Sequence, residues 1–171
     1  MGSNLSMDEV LLEFHEFTGS KKSVVLGTVG GDGSPEASYA PVLKLNNRFY
    51  IYVSELSKHT ENLLNHLQAS LLFIEDEMKS KQIFARQRAT IKTHVKEIQR
   101  GKEAWEKILD AMQGKHGGLI EMLKPLDDFH LFEITPIEAS YVRGFAQAYK
   151  VTGTNLSEIT HKNDRGHGSK Q

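Results

Sequence analysis

Residues 83–98 read Ile83-Phe84-Ala85-Arg86-Gln87-Arg88-Ala89-Thr90-Ile91-Lys92-Thr93-His94-Val95-Lys96-Glu97-Ile98, and their alternation decides the fold. Ile83, Ala85, Ala89, Ile91 and Val95 fall on one side of an extended chain, and Arg86, Arg88, Lys92, His94 and Lys96 on the other. Side chains of a strand alternate between faces, so this is the longest strand of the chain, apolar on one face and basic on the other. Upstream, Leu71 to Glu75 is a strand, joined to it by the charged link Asp76-Glu77-Met78-Lys79. Ser57 opens a helix to about Leu67. Before it, Arg48 to Ser54 alternates Phe49, Ile51 and Val53 against Tyr50 and Tyr52. Asn46-Asn47 and Gly30-Gly31-Asp32-Gly33 are turns around the strands Ser38 to Leu45 and Ser23 to Val29. Ser6-x-x-Glu9 is a capping box for a first helix that packs through Val10, Leu11, Phe14 and Phe17 and stops at Gly19.

Downstream of residue 98 a helix from Glu103 to Met112 buries Trp105, Ile108, Leu109 and Met112, and Gly114 to Gly118 breaks it. Strands resume with Phe129 to Ile134 and, past Thr135-Pro136, with Ala139 to about Val151, bent near Gly144. Six or seven antiparallel strands with short turns and few helices predict a mainly β protein, a closed or partly closed barrel with packed helices. The polar, glycine-containing stretch His161 to Gln171 follows the barrel as a tail.

Composition narrows the chemistry. The chain has 171 residues, 39% hydrophobic and 25% charged, which fits one globular domain. It has no cysteine, which excludes thiolate-held iron–sulfur clusters, Cys-based zinc sites and thiol nucleophiles and fits a reducing compartment. A formal charge of −1 speaks against a nucleic-acid binder with a broadly basic surface. No segment approaches the roughly 20 apolar residues of a membrane span, and the start lacks the charged and apolar regions of a secretory signal, so a cytoplasmic location is expected.

The residues that could carry chemistry are few. Arg86 and Arg88, two apart on a strand, project to one side and could hold a phosphate or carboxylate, though a solvated barrel face accounts for them as well. His59 and His66 share a helix face but stand about 10.5 Å apart along its axis, too far for one metal ion. His15, His94, His116 and His130 have no partners at ligand spacing. The glycines at 30–33 do not form a dinucleotide-binding fingerprint. Asp128 opens a strand, where a carboxylate can cap, face solvent, or accept from a metal-bound histidine. His167 stands between Gly166 and Gly168, with room to reach a cofactor or to lie free in the tail.

Six blocks, in order and over nearly the whole chain, carry a family resemblance. They are Ser38-Tyr39-Ala40-Pro41, Lys58-His59-x-x-Asn62-Leu63, Ile74-Glu75-Asp76-Glu77, Lys81-Gln82-Ile83-Phe84-Ala85-Arg86-x-Arg88, Asp128-Phe129-x-Leu131-Phe132 and Gly144-Phe145-x-Gln147-Ala148-Tyr149. The chain resembles the HugZ/HutZ-type haem-utilisation proteins, in their shorter form, a branch of the pyridoxamine 5′-phosphate oxidase-like FMN-binding split barrels. The resemblance implies a split-barrel domain over residues 1–160 and a haem-ligand tail over 161–171. It implies a homodimer with haem at the subunit interface and His167 as axial ligand to the iron, with His161 as the other candidate. Asp128 would accept from that histidine across the interface, with His59 and Arg88 close by, and Arg86 and Arg88 would offset the haem propionates. A carboxylate on the non-ligating ring nitrogen fixes the tautomer and makes the histidine more electron-donating. The reaction implied is oxygen-dependent cleavage of haem with electrons from an external donor or reductase. FMN in place of haem, or a non-catalytic haem carrier, are the competing expectations.

Overall fold

A computed structural model describes residues 5–162. Helix α1 (Met7–Ser20) leads into strands β1 (Ser23–Val29), β2 (Pro35–Pro41), β3 (Leu43–Leu45) and β4 (Arg48–Ser54). Helix α2 (Lys58–Asn65) precedes β5 (Gln68–Ile74) and β6 (Arg88–Ile98). Helices α3 (Glu103–His116) and α4 (Leu119–Leu123) precede β7 (Phe129–Gly144), β8 (Gln147–Thr152) and β9 (Glu158–His161). The capping box is present: the Ser6 N–H donates to Glu9 at 2.7 Å and the Glu9 N–H to the Ser6 hydroxyl at 3.2 Å.

All strand pairings are antiparallel, and the sheet runs β2-β1-β5-β6-β7-β4-β3. Its two ends, β2 and β3, are separated in the chain only by Val42, so one bent length of backbone curls the sheet toward closure. Among the described residues no ladder joins β2 to β4, and the barrel is split there. The spine is β7. Its first half lies between β4 and β6, its second half between β6 and β8, and β9 extends the sheet beyond β8.

Nine strands replace the expected six or seven, two of them gained by the division of 38–45 and by β9, while one further local change moves a strand boundary. The stretch 38–45 divides at the Pro41–Val42 bend. Residues 129–144 form one strand instead of two because Pro136 sits at a bulge: Thr93 pairs with Pro136 and Lys92 with Glu138, leaving Ile137 unpaired. A bulge tolerates the missing N–H that would interrupt a regular ladder. The third change is β9, which takes His161 into the sheet opposite Tyr149. The long strand also starts later than its alternation suggested. Ile83–Ala85 is a single 3₁₀ turn, held by the Phe84 N–H donating to the Gln82 side chain at 3.3 Å, and pairing begins at Arg88.

From Arg88 on, the alternation holds: Ala89, Ile91, Thr93 and Val95 are buried, and Thr90, Lys92, His94 and Lys96 face out. The inner face gathers Leu26, Phe49, Ile51, Leu71, Phe73, Phe132, Ile134 and Tyr141, with Val10, Phe14 and Phe17 of α1 packed against them. The outer face of β4 is buried too, because Trp105, Ile108, Leu109 and Met112 of α3 cover Tyr50, Tyr52 and Leu131. Phe132 is fully buried. Its replacement by alanine is expected to cost about 3–5 kcal/mol, read as a lower urea midpoint, since the surrounding core relaxes only partly into the cavity. Among the described residues no helix is long and apolar enough to cross a membrane.

Candidate functional site

The first group of site residues forms where β4 ends. Ser54 turns the chain toward α2, and its hydroxyl donates to Asp128 Oδ2 at 2.6 Å while accepting from the Leu56 N–H at 3.1 Å. The Glu55 N–H donates to the Asp128 carbonyl at 2.8 Å. On α2, the Thr60 hydroxyl donates to the Ser54 carbonyl at 2.6 Å. Asp128 is thus held through backbone and side chain, with Oδ1 uncommitted among the described residues.

His59 belongs to the same turn. Its ring is buried against edge strand β2, with Nδ1 2.9 Å from the Ser38 hydroxyl. Nε2 is buried without a hydrogen-bond partner, as is Oδ1 of Asn62 one helical turn on. Burial pushes the His59 pKa down, against the opposing charge of Glu36, so the ring is neutral at pH 7.

The second group lies elsewhere. Arg88 is the first residue of β6, paired with Ile74 and Val142. The expected projection of both guanidinium groups to one side is not what forms. Arg86 precedes the strand, and its Nε and Nη2 donate to the Glu75 carbonyl at 2.8 and 2.5 Å. The cause is the Glu75–Gln87 backbone pair, which brings that carbonyl under the arginine. Arg88 spends only Nη1, on the Arg86 carbonyl at 2.9 Å, and keeps its other donors available among the described residues.

A polar network that the sequence did not announce supports this end. Gln87 donates to the Tyr141 hydroxyl at 2.7 Å, which donates to Glu13 of α1 at 2.5 Å. Arg143 meets the same carboxylate with two bonds of 3.0 Å. Burial raises the Glu13 pKa, but the Arg143 and Tyr141 bonds outweigh it and hold the carboxyl below its usual range. Beside this network lies a cleft of about 380 Å³ whose lining includes Lys79, Lys81, Gln87, Arg143 and Phe145. His161 is at this end as well, in the cross-sheet row Ala89, Tyr141, Tyr149, His161. Its ring meets Tyr149 edge-on at 4.9 Å, and its Nδ1 is buried without a partner. His167 falls outside the described residues.

The two groups are far apart within one chain. Phe129 pairs with Ser54, and Val142 pairs with Arg88, at opposite ends of β7. At ~3.3 Å per residue, the strand between those two pairs measures roughly 43 Å along its length. Among the described residues no hydrogen bond links Asp128 or His59 to Arg88 or His161.

Comparison with known proteins gives a consistent picture. The pyridoxamine 5′-phosphate oxidase family matches residues 11–143. The haem oxygenase HutZ of Vibrio cholerae serotype O1 is 36% identical over 155 residues, 91% of this chain and 88% of its own. The crystal structure of Campylobacter jejuni ChuZ superposes with a TM-score of 0.82 at 31% identity, covering 93% of this chain. The chain spans 64% of the length of ChuZ. A crystal structure of Vibrio cholerae HutZ, described there as a haem storage protein, gives a TM-score of 0.71 at 32% identity over 77% of this chain and 91% of that one.

Proposed function

The chain belongs to the pyridoxamine 5′-phosphate oxidase family, and on that premise we propose that it binds haem as a homodimer and degrades it with oxygen and an external reductant. The observation that carries the reading is the separation of the candidate residues: an arginine with uncommitted donors and an oriented carboxylate stand at opposite ends of β7. A second copy related by a two-fold axis, its β7 running opposite to the first, would supply the missing half at each of two equivalent sites. The similarity to HutZ, over 91% of the chain, identifies haem as the ligand to test.

The residues fit such a group. The uncommitted donors of Arg88 suit a propionate carboxylate. Asp128, fixed by Ser54 and by the Glu55 N–H, offers Oδ1 to the N–H of a histidine from the partner. Arg86 acts through its carbonyl, which holds the Arg88 side chain in place. His59 contributes a neutral ring with one nitrogen free to meet a ligand atom or a water. When bound, haem supplies the iron and redox chemistry, and an outside reductase supplies the electrons.

Titration of the purified protein with haemin is expected to give a Soret band that saturates at one haem per subunit. A yellow preparation with tightly bound flavin and no haemin affinity would overturn the proposal in favour of an FMN enzyme. Ascorbate and oxygen added to the complex should then bleach the band. An unchanged spectrum would instead assign the protein to haem carriage, the second reading, which the description of HutZ as a storage protein favours.

A further inference from the structure

His130 is the one imidazole of the described residues with a carboxylate on each ring nitrogen: Nδ1 is 2.7 Å from Glu97 Oε1 and Nε2 is 2.7 Å from Glu55 Oε1. A neutral imidazole has one N–H, so one of these contacts would set a ring lone pair against a carboxylate oxygen. Only the imidazolium donates to both. The three residues come from three elements, with Glu97 near the end of β6, His130 on β7 and Glu55 in the turn after β4. The ring also stacks on Phe132, with centroids 6.3 Å apart.

Glu55 connects this ring to the proposed haem site. Its side chain is held by His130, its N–H donates to the Asp128 carbonyl, and the neighbouring Ser54 hydroxyl holds Asp128 Oδ2. We propose that His130 is a positioning residue: as an imidazolium it clamps the Ser54–Glu55 turn to β7 and so fixes the direction in which Asp128 presents its free oxygen. This rests on the reading of Asp128 as acceptor for a haem-ligating histidine. Carboxylates in that role act through orientation, and loss of such outer-shell support costs about 10–100-fold in affinity or activity.

The clamp depends on pH in a defined direction. Burial disfavours the charged ring, but the bonds and charges of Glu97 and Glu55 outweigh it and raise the His130 pKa above its ordinary 6.5. The charged groups of this end of β7 include Asp127 and Asp128, the paired Lys96 and Glu133, and Arg100, whose guanidinium donates to the Phe129 carbonyl at 3.3 Å. The clamp is therefore intact below the raised value and releases Glu55 as pH rises through it.

The test has two arms. In the haem-free protein, ¹⁵N-histidine NMR is expected to show His130 protonated on both nitrogens at pH 6.5, with a titration midpoint that Glu55→Gln lowers. A neutral ring at that pH, or an unmoved midpoint, overturns the clamp whatever the protein binds. In the haemin complex reduced with dithionite in the absence of oxygen, His130→Phe and the milder Glu55→Gln are each expected to shift the ferrous iron–histidine stretch the same way as Asp128→Ala, and to add nothing in the Asp128→Ala background. Complexes that form normally, with stretches and pH profiles like the parent, would refute the positioning role while leaving haem binding intact. Failure of the parent itself to bind haemin would instead refute the functional reading.

Discussion

His167→Ala is expected to abolish the haemin Soret band, while His161→Ala leaves a complex of near-parental affinity. The difference follows from where each histidine is held. His161 is paired in β9 opposite Tyr149, its ring packs edge-on against that tyrosine, and its Nδ1 is enclosed. Turning it toward an iron atom would sacrifice that packing and break up the end of the sheet. His167 lies outside the described residues, five positions past Lys162. In sequence it stands between Gly166 and Gly168. Removing an axial ligand removes the coordinate bond itself, so the loss should exceed the roughly 10–100-fold that follows from disturbing outer-shell partners. Equilibrium titration followed at the Soret maximum measures both variants. If His161→Ala is the variant that loses the band, the ligand assignment reverses and the domain boundary proposed at 160 and 161 loses its meaning.

Much of the barrel was legible because its cause is local. The period of two in Phe49, Ile51 and Val53, and in Ala89, Ile91 and Val95, names the inner face, and those residues fill the core. The Ser6 and Glu9 capping box likewise needs only four consecutive residues. What escaped depends on register. Nothing around Pro136 reveals that Ile137 will bulge, because the bulge exists only against Lys92 and Thr93 of another strand. Arg86 alternates correctly with Arg88 in sequence, yet the Glu75 carbonyl placed by strand pairing draws it back. His130 looked partnerless because its carboxylates lie 33 and 75 residues away in the chain. A carboxylate–imidazole–carboxylate clamp assembled from three elements leaves no spacing to find. Nothing in their own spacing places Asp128 and Arg88 at opposite ends of β7, because the pairing of Phe129 with Ser54 and of Val142 with Arg88 does so.

That separation leads to the prediction with the clearest outcome. Asp128→Ala and His167→Ala are each expected to be severely impaired as homodimers, yet mixing the two and letting subunits exchange should restore function. From Lys162 to His167 an extended chain reaches at most about 17 Å. β9, where the described chain ends, sits in the row of Tyr141, while Asp128 lies beyond the far end of β7, roughly 40 Å back along the strand. One bulge in that strand shortens the span without folding it double, so the proposed pair is expected between subunits and not within one chain. In a mixed two-fold dimer one site then combines Asp128 from the His167→Ala subunit with His167 from the Asp128→Ala subunit, and is intact, while the other carries both defects. Random exchange makes about half the dimers mixed, so about a quarter of the parental sites should regain both residues, read as ascorbate-dependent bleaching. If both residues served one site within a single chain, every site in the mixture would carry a defect and no signal would return. Recovery to about a quarter is thus a direct measure of whether the two ends of β7 work together across the interface.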